Sequence, residues 1–127
     1  MELQILTVDD VIDINKYIIS NFGGSHTVLN KSLLEQSVNS PYHTFGGQDL
    51  YETNIDKAVQ LCYSLCKNHC FADGNKRTAL ISMLVFLDIN NINVDNLNYS
   101  SLSSLINGVA EGSKNKQAIY SWLEINL

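Results

Sequence analysis

Residues 69–88 read HCFADGNKRTALISMLVFLD, and this stretch changes character halfway along. Its first half is mostly polar and includes a Gly-Asn pair at 74–75. From Thr78 onward almost every residue is apolar. The apolar residues with helical spacing are Ala79, Leu80, Met83, Leu84 and Leu87. Because a helix that is apolar nearly all round is usually buried, we predict a polar loop over 69–75 that opens onto a central helix over about 76–88.

Five further helices are predicted from amphipathic spacing and capping residues. They cover about 8–22, 31–38, 55–68, 101–110 and 116–124. Thr7 caps the first and Gly23-Gly24 ends it, while Thr53 or Asn54 caps the helix at 55–68. Residues 92–94 are expected to be a short extended piece, but no run of residues supports a central sheet. The predicted fold class is all-α, a bundle of about six helices in a single domain over residues 1–127.

The segment 39–51 differs in composition from the helices around it. It contains the only proline of the chain, Pro41, and the turn-forming pair Gly46-Gly47, with aromatic and threonine residues nearby. We interpret it as an exposed flap or hairpin before the central helices. An ordinary connecting loop is the alternative, and by itself the segment favours that simpler interpretation.

Composition limits the partners of this chain. Its 127 residues, 45% hydrophobic and 17% charged, suit one folded domain. The net charge is −5 and the pI about 4.9, whereas nucleic-acid-binding proteins usually present a basic face, so we expect no direct nucleic-acid partner. The one local concentration of positive charge is Lys67, Lys76 and Arg77. Such a spot suits a small anionic ligand, although a solvated helix end with incidental lysines would have the same sequence.

The three cysteines, Cys62, Cys66 and Cys70, do not predict a disulfide framework, since their number is odd and the chain is small. A zinc site that includes His69 is an alternative, but no CxxC pair or HExxH motif occurs and buried cysteines are common in cores. The first residues lack the features of a signal peptide, and no apolar run approaches the length of a membrane span. We therefore expect a cytoplasmic protein without a membrane partner.

The loop 69–75 and the start of the next helix carry residues that can do chemistry. A helix N-terminus offers unpaired N–H groups and a positive dipole end, and both favour an anion. Gly74 lets the backbone approach a ligand closely, and Asn75 tolerates unusual dihedral angles. Lys76 and Arg77 have the wrong sign of charge for this position, so a bound anion would explain them. The alternative is that both side chains lean into solvent, at little cost.

His69, Phe71 and Asp73 complete the candidate site. A histidine can take a proton from a hydroxyl group near neutral pH, and a carboxylate beside phosphates commonly holds Mg²⁺. Phe71 is expected to bury its ring and hold the loop down. A histidine alone is more often a capping or core residue, but here every neighbour fits phosphate chemistry.

The pattern His-x-Phe-x-Asp-Gly-Asn-Lys-Arg-Thr-Ala at 69–79 resembles the motif of the Fic/Doc superfamily. Three positions depart from the Fic form of that motif: Cys70 replaces a proline, Lys76 a glycine and Leu80 the second arginine. The lysine that follows Asn75 resembles the form of the motif found in the Doc (death-on-curing) branch. The segment 44–51 is also similar to the flap of Doc-like proteins, and the length and helix order match. The resemblance covers nearly the whole chain and implies a Fic/Doc-like bundle.

The resemblance implies a role for each residue of the site. The catalytic residues would be His69 as the base on a protein hydroxyl, Asp73 as the Mg²⁺ ligand, and Asn75 and Lys76, which with Gly74 would form an anion hole. The residues at the nucleotide and its phosphates would be Lys67, Gly74, Asn75, Lys76 and Arg77. The flap residues that align the target chain by strand addition would be Thr44, Phe45, Gly46, Gly47 and Gln48.

Doc proteins are toxins of bacterial and phage toxin–antitoxin pairs, and the best-known one transfers phosphate from ATP to a threonine of elongation factor Tu. Most other Fic proteins transfer AMP to a protein hydroxyl. A lysine at position 76 would fill the room that glycine leaves for the α- and β-phosphates, which favours the kinase reaction over adenylyl transfer. The resemblance thus implies a Mg-ATP-dependent protein kinase that arrests translation, with elongation factor Tu as the expected target.

The inhibitory pattern of some Fic proteins, [Ser/Thr]-x-x-x-Glu-[Gly/Asn], is incomplete here, because Asn107 precedes Glu111-Gly112 at the Ser/Thr position. We expect no internal brake and a separately encoded antitoxin whose disordered tail folds on binding. Three other interpretations stay open: a Fic-fold binding module without catalysis, a nucleic-acid-binding helical domain, and a zinc protein.

Overall fold

Helices dominate the computed structural model, which describes residues 2–127. The helices in that part of the chain are α1 Val8–Phe22, α2 Lys31–Asn39, α3 Asn54–Asn68, α4 Asn75–Ile89, α5 Tyr99–Glu111 and α6 Lys116–Asn126. A short 3-10 turn, Ser40–Tyr42, follows α2, and a hairpin of β1 Thr44–Phe45 and β2 Gln48–Asp49 precedes α3. The predicted all-α bundle with a flap before the central helices is confirmed.

Side-chain capping explains where most of these helices begin. The capping side chains, each of which accepts a hydrogen bond from the N–H three residues further on, are Thr7, Asn30, Thr53, Asn98 and Asn115. Within residues 2–127, only α4 begins without such a cap, since its N-cap residue is Gly74. Because helix ends normally satisfy their first N–H groups, the bare start of α4 needs a separate explanation.

Helices α3 and α4 form the centre of the bundle, and the remaining helices pack around them. As predicted, α4 is buried along most of its length. Its first turn already reaches the core, because Thr78 is 1% exposed, and Ala79 and Leu80 in the next turn are 0% and 2% exposed. The N-terminus of α4 is therefore rigidly placed, although Lys76 and Arg77 beside it are exposed.

The observed helix boundaries differ from the predicted ones by one or two residues. Helix α4 begins at Asn75 rather than Lys76, and α5 begins at Tyr99 because Asn98 caps it. Residues 92–94 form no strand. No helix among residues 2–127 has the length and apolar character needed to cross a membrane.

The end of α4 is fixed by a buried asparagine. Asn90 is 8% exposed, and its side chain exchanges two hydrogen bonds of 2.9 Å with the backbone of Gln4. Its amide nitrogen also donates to the Phe86 carbonyl over 2.8 Å. This arrangement ties the start of the chain to the end of α4 that lies away from the candidate site.

The flap is an antiparallel hairpin with a two-residue turn. Thr44 lies opposite Asp49, and Phe45 lies opposite Gln48. The turn residues Gly46-Gly47 have φ values of +60° and +81°, and positive φ at both positions is what a tight type I′ hairpin turn requires. All four strand residues are exposed, so the hairpin projects into solvent. The hairpin interpretation is confirmed over the ordinary loop.

Candidate active site

Backbone hydrogen bonds hold the loop 69–74 against the segment between α1 and α2. The Leu29 N–H donates to the Cys70 carbonyl over 2.8 Å, and the Ala72 N–H donates to the Thr27 carbonyl over 2.9 Å. This pairing was not predicted, because a contact of so few residues leaves no periodic pattern in the sequence. The loop is therefore braced from outside its own helices.

Phe71 and Asn75 close the loop on itself. The Phe71 ring is 2% exposed, so its predicted burial is confirmed. The Phe71 N–H donates to Asn75 Oδ1 over 3.0 Å, and Asn75 Nδ2 donates back to the Phe71 carbonyl over 2.8 Å. Asn75 is the first residue of α4, so the expectation that it adopts unusual dihedral angles is wrong. Its side chain shapes the loop, and its backbone N–H has no hydrogen-bond partner among residues 2–127.

A buried asparagine on α1 fixes the junction between the loop and α4. Asn15 is 0% exposed, and its Nδ2 donates to the Asp73 carbonyl and to Thr78 Oγ1, each over 3.0 Å. Its Oδ1 has no partner among residues 2–127. Sequence reasoning missed this residue. The feature of the sequence that could have indicated Asn15 is its position on the apolar face of α1, four residues after Val11.

Two residues of the loop have left-handed backbone. His69 has φ +47° and Gly74 has φ +78°. A Cβ atom on Gly74 would lie 3.3 Å from both Asn15 Nδ2 and Ile19 Cδ1. Glycine is therefore needed here for its positive φ and for close packing against α1, and the expectation that it lets the backbone approach a ligand stays a prediction.

The start of α4 presents three free backbone N–H groups. Those of Asn75, Lys76 and Arg77 form no hydrogen bond within residues 2–127, and the Thr78 N–H is the first to bond, to the Gly74 carbonyl over 2.8 Å. The first turn contains no acidic side chain. Free amides at the positive end of a helix form a ready anion site. This geometry is what the predicted anion hole needs, and the anion hole itself stays a prediction.

A pocket with cationic walls adjoins these amides. It has a volume of about 240 Å³, and its polar lining comes from Lys76 and Arg77 of α4 and from Ser103 and Asn107 of α5. The Arg77 guanidinium carbon lies 4.0 Å from the centre of the Phe22 ring, an arrangement that directs this long side chain along the protein surface. The two predicted phosphate-binding cations therefore face a common pocket.

Lys67 lies in the last turn of α3, close to the C-terminal end of α5. Its Nζ donates over 3.3 Å to the Val109 carbonyl, one of the last carbonyl groups of α5, which also accepts from the Gly112 N–H over 3.1 Å. The predicted contact of Lys67 with the nucleotide stays a prediction. Glu111 and Gly112 form the end of α5, where Gly112 has φ +87° and closes the helix.

The two residues with acid–base or metal-binding capacity are exposed. His69 lies at the C-terminal end of α3, and Asp73 lies in the loop. Asp73 Oδ2 accepts a hydrogen bond from the Ser25 N–H over 2.8 Å, whereas Oδ1 has no hydrogen-bond partner within residues 2–127. Mg²⁺ at nucleotide sites is commonly bound by one or two carboxylates together with substrate phosphates. Asp73 fits that chemistry, with one oxygen oriented by the protein and one open.

The three cysteines are buried, unpaired thiols in the core. Burial raises the pKa of the Cys62 thiol, and it also raises that of Cys66 although Lys67 and Lys76 act in the opposite direction. Cys66 Sγ lies 3.8 Å from the Ile106 carbonyl. Among residues 2–127, no group of three histidine, cysteine or acidic residues could hold a metal ion.

A buried lysine anchors the base of the flap to α3. Lys57 is 4% exposed, and its Nζ lies 3.3 Å from Asp49 Oδ2. The same ammonium group donates to the Tyr51 carbonyl. Since Phe45 at the other end of the hairpin is 83% exposed, the flap has a fixed base and a free tip.

Two comparisons with known proteins found similar sequences. The sequence pattern of the Fic/DOC family matches residues 5–87, which include the flap, the loop and α4 up to Leu87. The chain is also 44% identical over 71 residues to a protein of Mycolicibacterium smegmatis (strain ATCC 700084 / mc(2)155) named Toxin Doc. That match covers 56% of this chain and 55% of the relative, about half the length of each.

Proposed function

Because the chain belongs to the Fic/DOC family, we propose that it is the toxin of a toxin–antitoxin pair and a Mg-ATP-dependent protein kinase. The observation that carries the proposal is the start of α4, where three amides without a partner in residues 2–127 lie beside the cations Lys76 and Arg77. The 44% identity to a protein named Toxin Doc supports the toxin role. Phosphoryl transfer depends mainly on positioning and charge stabilisation, which this arrangement can supply.

The proposed reaction transfers the terminal phosphoryl group of ATP to a threonine hydroxyl of a target protein. His69 accepts the hydroxyl proton through its imidazole as the oxygen attacks the γ-phosphorus. The bond from the γ-phosphorus to the β–γ bridging oxygen breaks, and ADP leaves with that oxygen. The N–H groups of Asn75 and Lys76, with the side chains of Lys76 and Arg77, stabilise the negative charge on the phosphoryl oxygens.

Asp73 is the proposed ligand for Mg²⁺, since its Oδ1 is open and its Oδ2 is held by the Ser25 N–H. When bound, Mg²⁺ neutralises phosphate charge. The hydrogen bond from Ser25 keeps the carboxylate in one orientation. The segment after α1 thus contributes to the site although no predicted catalytic residue lies in it.

The proposed target is a translation factor in the cytoplasm, elongation factor Tu first of all, and its phosphorylation arrests translation. The flap is the proposed docking element, because β1 and β2 form a sheet of only two strands that can accept a third. Lys57 holds the base of the flap in place while the exposed Phe45 remains free to contact the target. A separately encoded antitoxin restrains the toxin, with no internal brake at Glu111.

A label-transfer experiment distinguishes the kinase reaction from adenylyl transfer. A kinase transfers the γ-phosphate of ATP to the target protein, whereas adenylyl transfer attaches the α-phosphate. Purified protein with Mg²⁺ is mixed with bacterial lysate and ATP labelled at the γ- or the α-phosphate. We expect one lysate protein to acquire label from γ only, and a purified elongation factor Tu sample to do the same. Label from α would replace the kinase proposal with adenylyl transfer, and no label from either would favour a non-catalytic binding module.

A further inference from the structure

A pocket of about 570 Å³ lies at the base of the flap, between α3 and the start of α6. Its walls contain three half-buried tyrosine rings, those of Tyr51, Tyr63 and Tyr120. Its charged groups are Lys116 of α6 and Asp56 of α3. We refer to it as the tyrosine pocket. The residues that line it differ from those of the cationic pocket at the start of α4.

The tyrosine pocket continues directly from the flap. The Leu50 N–H donates to the His43 carbonyl over 3.0 Å, which extends the pairing of the hairpin beyond β2. The next residue, Tyr51, already belongs to the pocket wall, and its carbonyl accepts a hydrogen bond from the buried ammonium group of Lys57. A peptide that pairs with β2 by strand addition therefore passes this wall as it leaves the flap.

Lys116 carries an ammonium group that has no carboxylate partner among residues 2–127. Its Nζ lies 4.8 Å from the centre of the Tyr51 ring and 5.7 Å from that of the Tyr63 ring, and it donates to Gln60 Oε1. Gln60 is held in turn, because its Nε2 donates to Ser40 Oγ over 3.0 Å. Since a lysine has three N–H donors, this half-buried group can donate to a further, negatively charged partner.

Two features of the pocket favour an anion beside Lys116. Lys116 is the first residue of α6, where the helix dipole disfavours a positive charge and favours a negative one. The acidic residue of the pocket, Asp56, is engaged elsewhere, because its Oδ2 accepts from the Thr53 N–H over 3.2 Å in the capping box of α3. The pocket thus offers a partner one cation beside apolar ring surface, which suits an acidic side chain.

Helix α3 sets the distance between the tyrosine pocket and His69, which lies at the C-terminal end of that helix. Tyr63 and Val59 line the pocket six and ten residues before His69. At about 1.5 Å per residue, they lie roughly 9 and 15 Å from it along the helix axis. An extended peptide covers roughly 3.3 Å per residue, so the pocket is about three to five residues away from a hydroxyl held at His69.

We propose that the tyrosine pocket binds the part of the target protein that leaves the flap, and that an acidic side chain about three to five residues from the acceptor hydroxyl pairs with Lys116. This inference rests on the proposed function, because it takes a protein hydroxyl as the acceptor. It adds a charge requirement to the selection of the target. Strand addition at the flap supplies no such requirement, since it depends on main-chain hydrogen bonds.

The test measures label transfer from ATP to the purified target, which is elongation factor Tu or, where another lysate protein acquires the label, that protein. Rates at varied target concentration are compared for the unaltered chain, Lys116→Gln and Lys116→Arg. The matched control is Lys114→Gln, which removes the same charge from an exposed position two residues away and outside the pocket. Circular dichroism verifies that each variant keeps the helical fold.

We expect Lys116→Gln to raise the KM for the target by about 3- to 30-fold, while kcat and the KM for ATP change by less than about twofold. Lys116→Arg and Lys114→Gln should leave all three within about twofold of the unaltered chain. The acidic residues of the target near the labelled hydroxyl are then neutralised one at a time. One of these changes should raise the KM of the unaltered chain and have no further effect on Lys116→Gln.

An unchanged KM for the target in Lys116→Gln would overturn this docking site and leave the proposed function standing. A labelled hydroxyl with no acidic residue about three to five positions away would do the same. If Lys116→Gln instead escaped suppression by the co-expressed antitoxin at an unchanged KM, the pocket would belong to the antitoxin. An unaltered chain that labels no protein would overturn the proposed function and the docking site with it.

Discussion

The side-chain amide of Asn15 donates a hydrogen bond to the backbone carbonyl of Asp73 over 3.0 Å, and the two residues are 58 positions apart in the chain. The same nitrogen reaches Thr78 Oγ1 on the first turn of α4. One buried side chain on α1 therefore fixes both the last part of the loop and the first turn of the helix that follows. The amides assigned to phosphate binding lie between these two points.

Replacement of Asn15 by aspartate is expected to disturb this junction. In Asn15→Asp an oxygen replaces the donor nitrogen and faces the Asp73 carbonyl, so a hydrogen bond becomes a repulsion. The free energy of unfolding should fall by about 1–3 kcal/mol, as measured by urea denaturation. The affinity for ATP should fall as well, because the free amides of α4 lose their alignment.

Asn90→Asp is the matched control for this change. Asn90 is also buried, and its amide nitrogen donates to the carbonyls of Gln4 and Phe86 at the other end of α4. We expect a similar loss of stability with an unchanged affinity for ATP. An equal loss of ATP affinity in both variants would contradict a specific role for Asn15.

Adding a methyl group at Gly74 is expected to lower the free energy of unfolding by more than the strain of its positive φ alone would. Gly74 and Gly112 have similar positive φ values, +78° and +87°, but a Cβ on Gly112 would meet no atom within 4 Å. Gly112→Ala should therefore lower the free energy of unfolding by about 1–2 kcal/mol. Gly74→Ala should lower it further and weaken ATP binding, because its Cβ presses on Asn15 and Ile19; equal effects in the two variants would argue against tight packing at Gly74.

The substitution His69→Asn separates catalysis from folding. Asparagine tolerates left-handed backbone better than most residues, so it suits the φ of +47° at this position, but its side chain cannot act as a base. The rate of label transfer to the target should fall by about 10²- to 10⁴-fold, while thermal stability and ATP affinity change little. Transfer at an unchanged rate would remove His69 from the mechanism.

The buried thiols give the protein a pH dependence in the alkaline range. Burial raises the folded-state pKa of Cys62, Cys66 and Cys70, so the unfolded chain releases these protons first as pH increases. Their contribution to stability is fully present at pH values below the ordinary thiol pKa of 9.0, and it is lost as the pH rises above 9.0. The slope is at most about 1.4 kcal/mol per pH unit for each thiol.

Cys62→Ala isolates one of these contributions, since Cys62 is 0% exposed. Urea denaturation of this variant and of the natural chain at about pH 8 and about pH 10 gives the loss of stability for each protein. The variant should lose less stability between the two pH values. An identical loss would show that the Cys62 thiol does not titrate differently in the folded and unfolded states.

Much of the fold follows from local sequence. Regular apolar spacing and capping residues such as Thr7 and Thr53 predict the helices to within one or two residues, because helix formation is governed by neighbours along the chain. Gly46-Gly47 predicts the hairpin for the same reason: its turn needs positive φ at both positions. The motif at 69–79 places the candidate site, because its residues are contiguous.

The parts that sequence reasoning missed all depend on contacts between distant segments. Asn15 reaches the loop from α1, Ser25 orients Asp73, and residues 27–29 pair with the loop through only two backbone hydrogen bonds. A single asparagine on an apolar helix face gives no indication of the carbonyl that it meets. The close packing of Gly74 against α1 was missed for the same reason.

The most direct test of the account is to observe the amides at the start of α4 while inorganic tripolyphosphate is added to ¹⁵N-labelled protein. We expect the amide resonances of Asn75, Lys76 and Arg77 to shift most, because those N–H groups are free within residues 2–127 and lie at the positive end of the helix. The first amides of α5, where Asn98 supplies a cap, serve as the internal control. Equal shifts at both helix starts, or no shift at 75–77, would contradict the claim that this loop and helix bind phosphate.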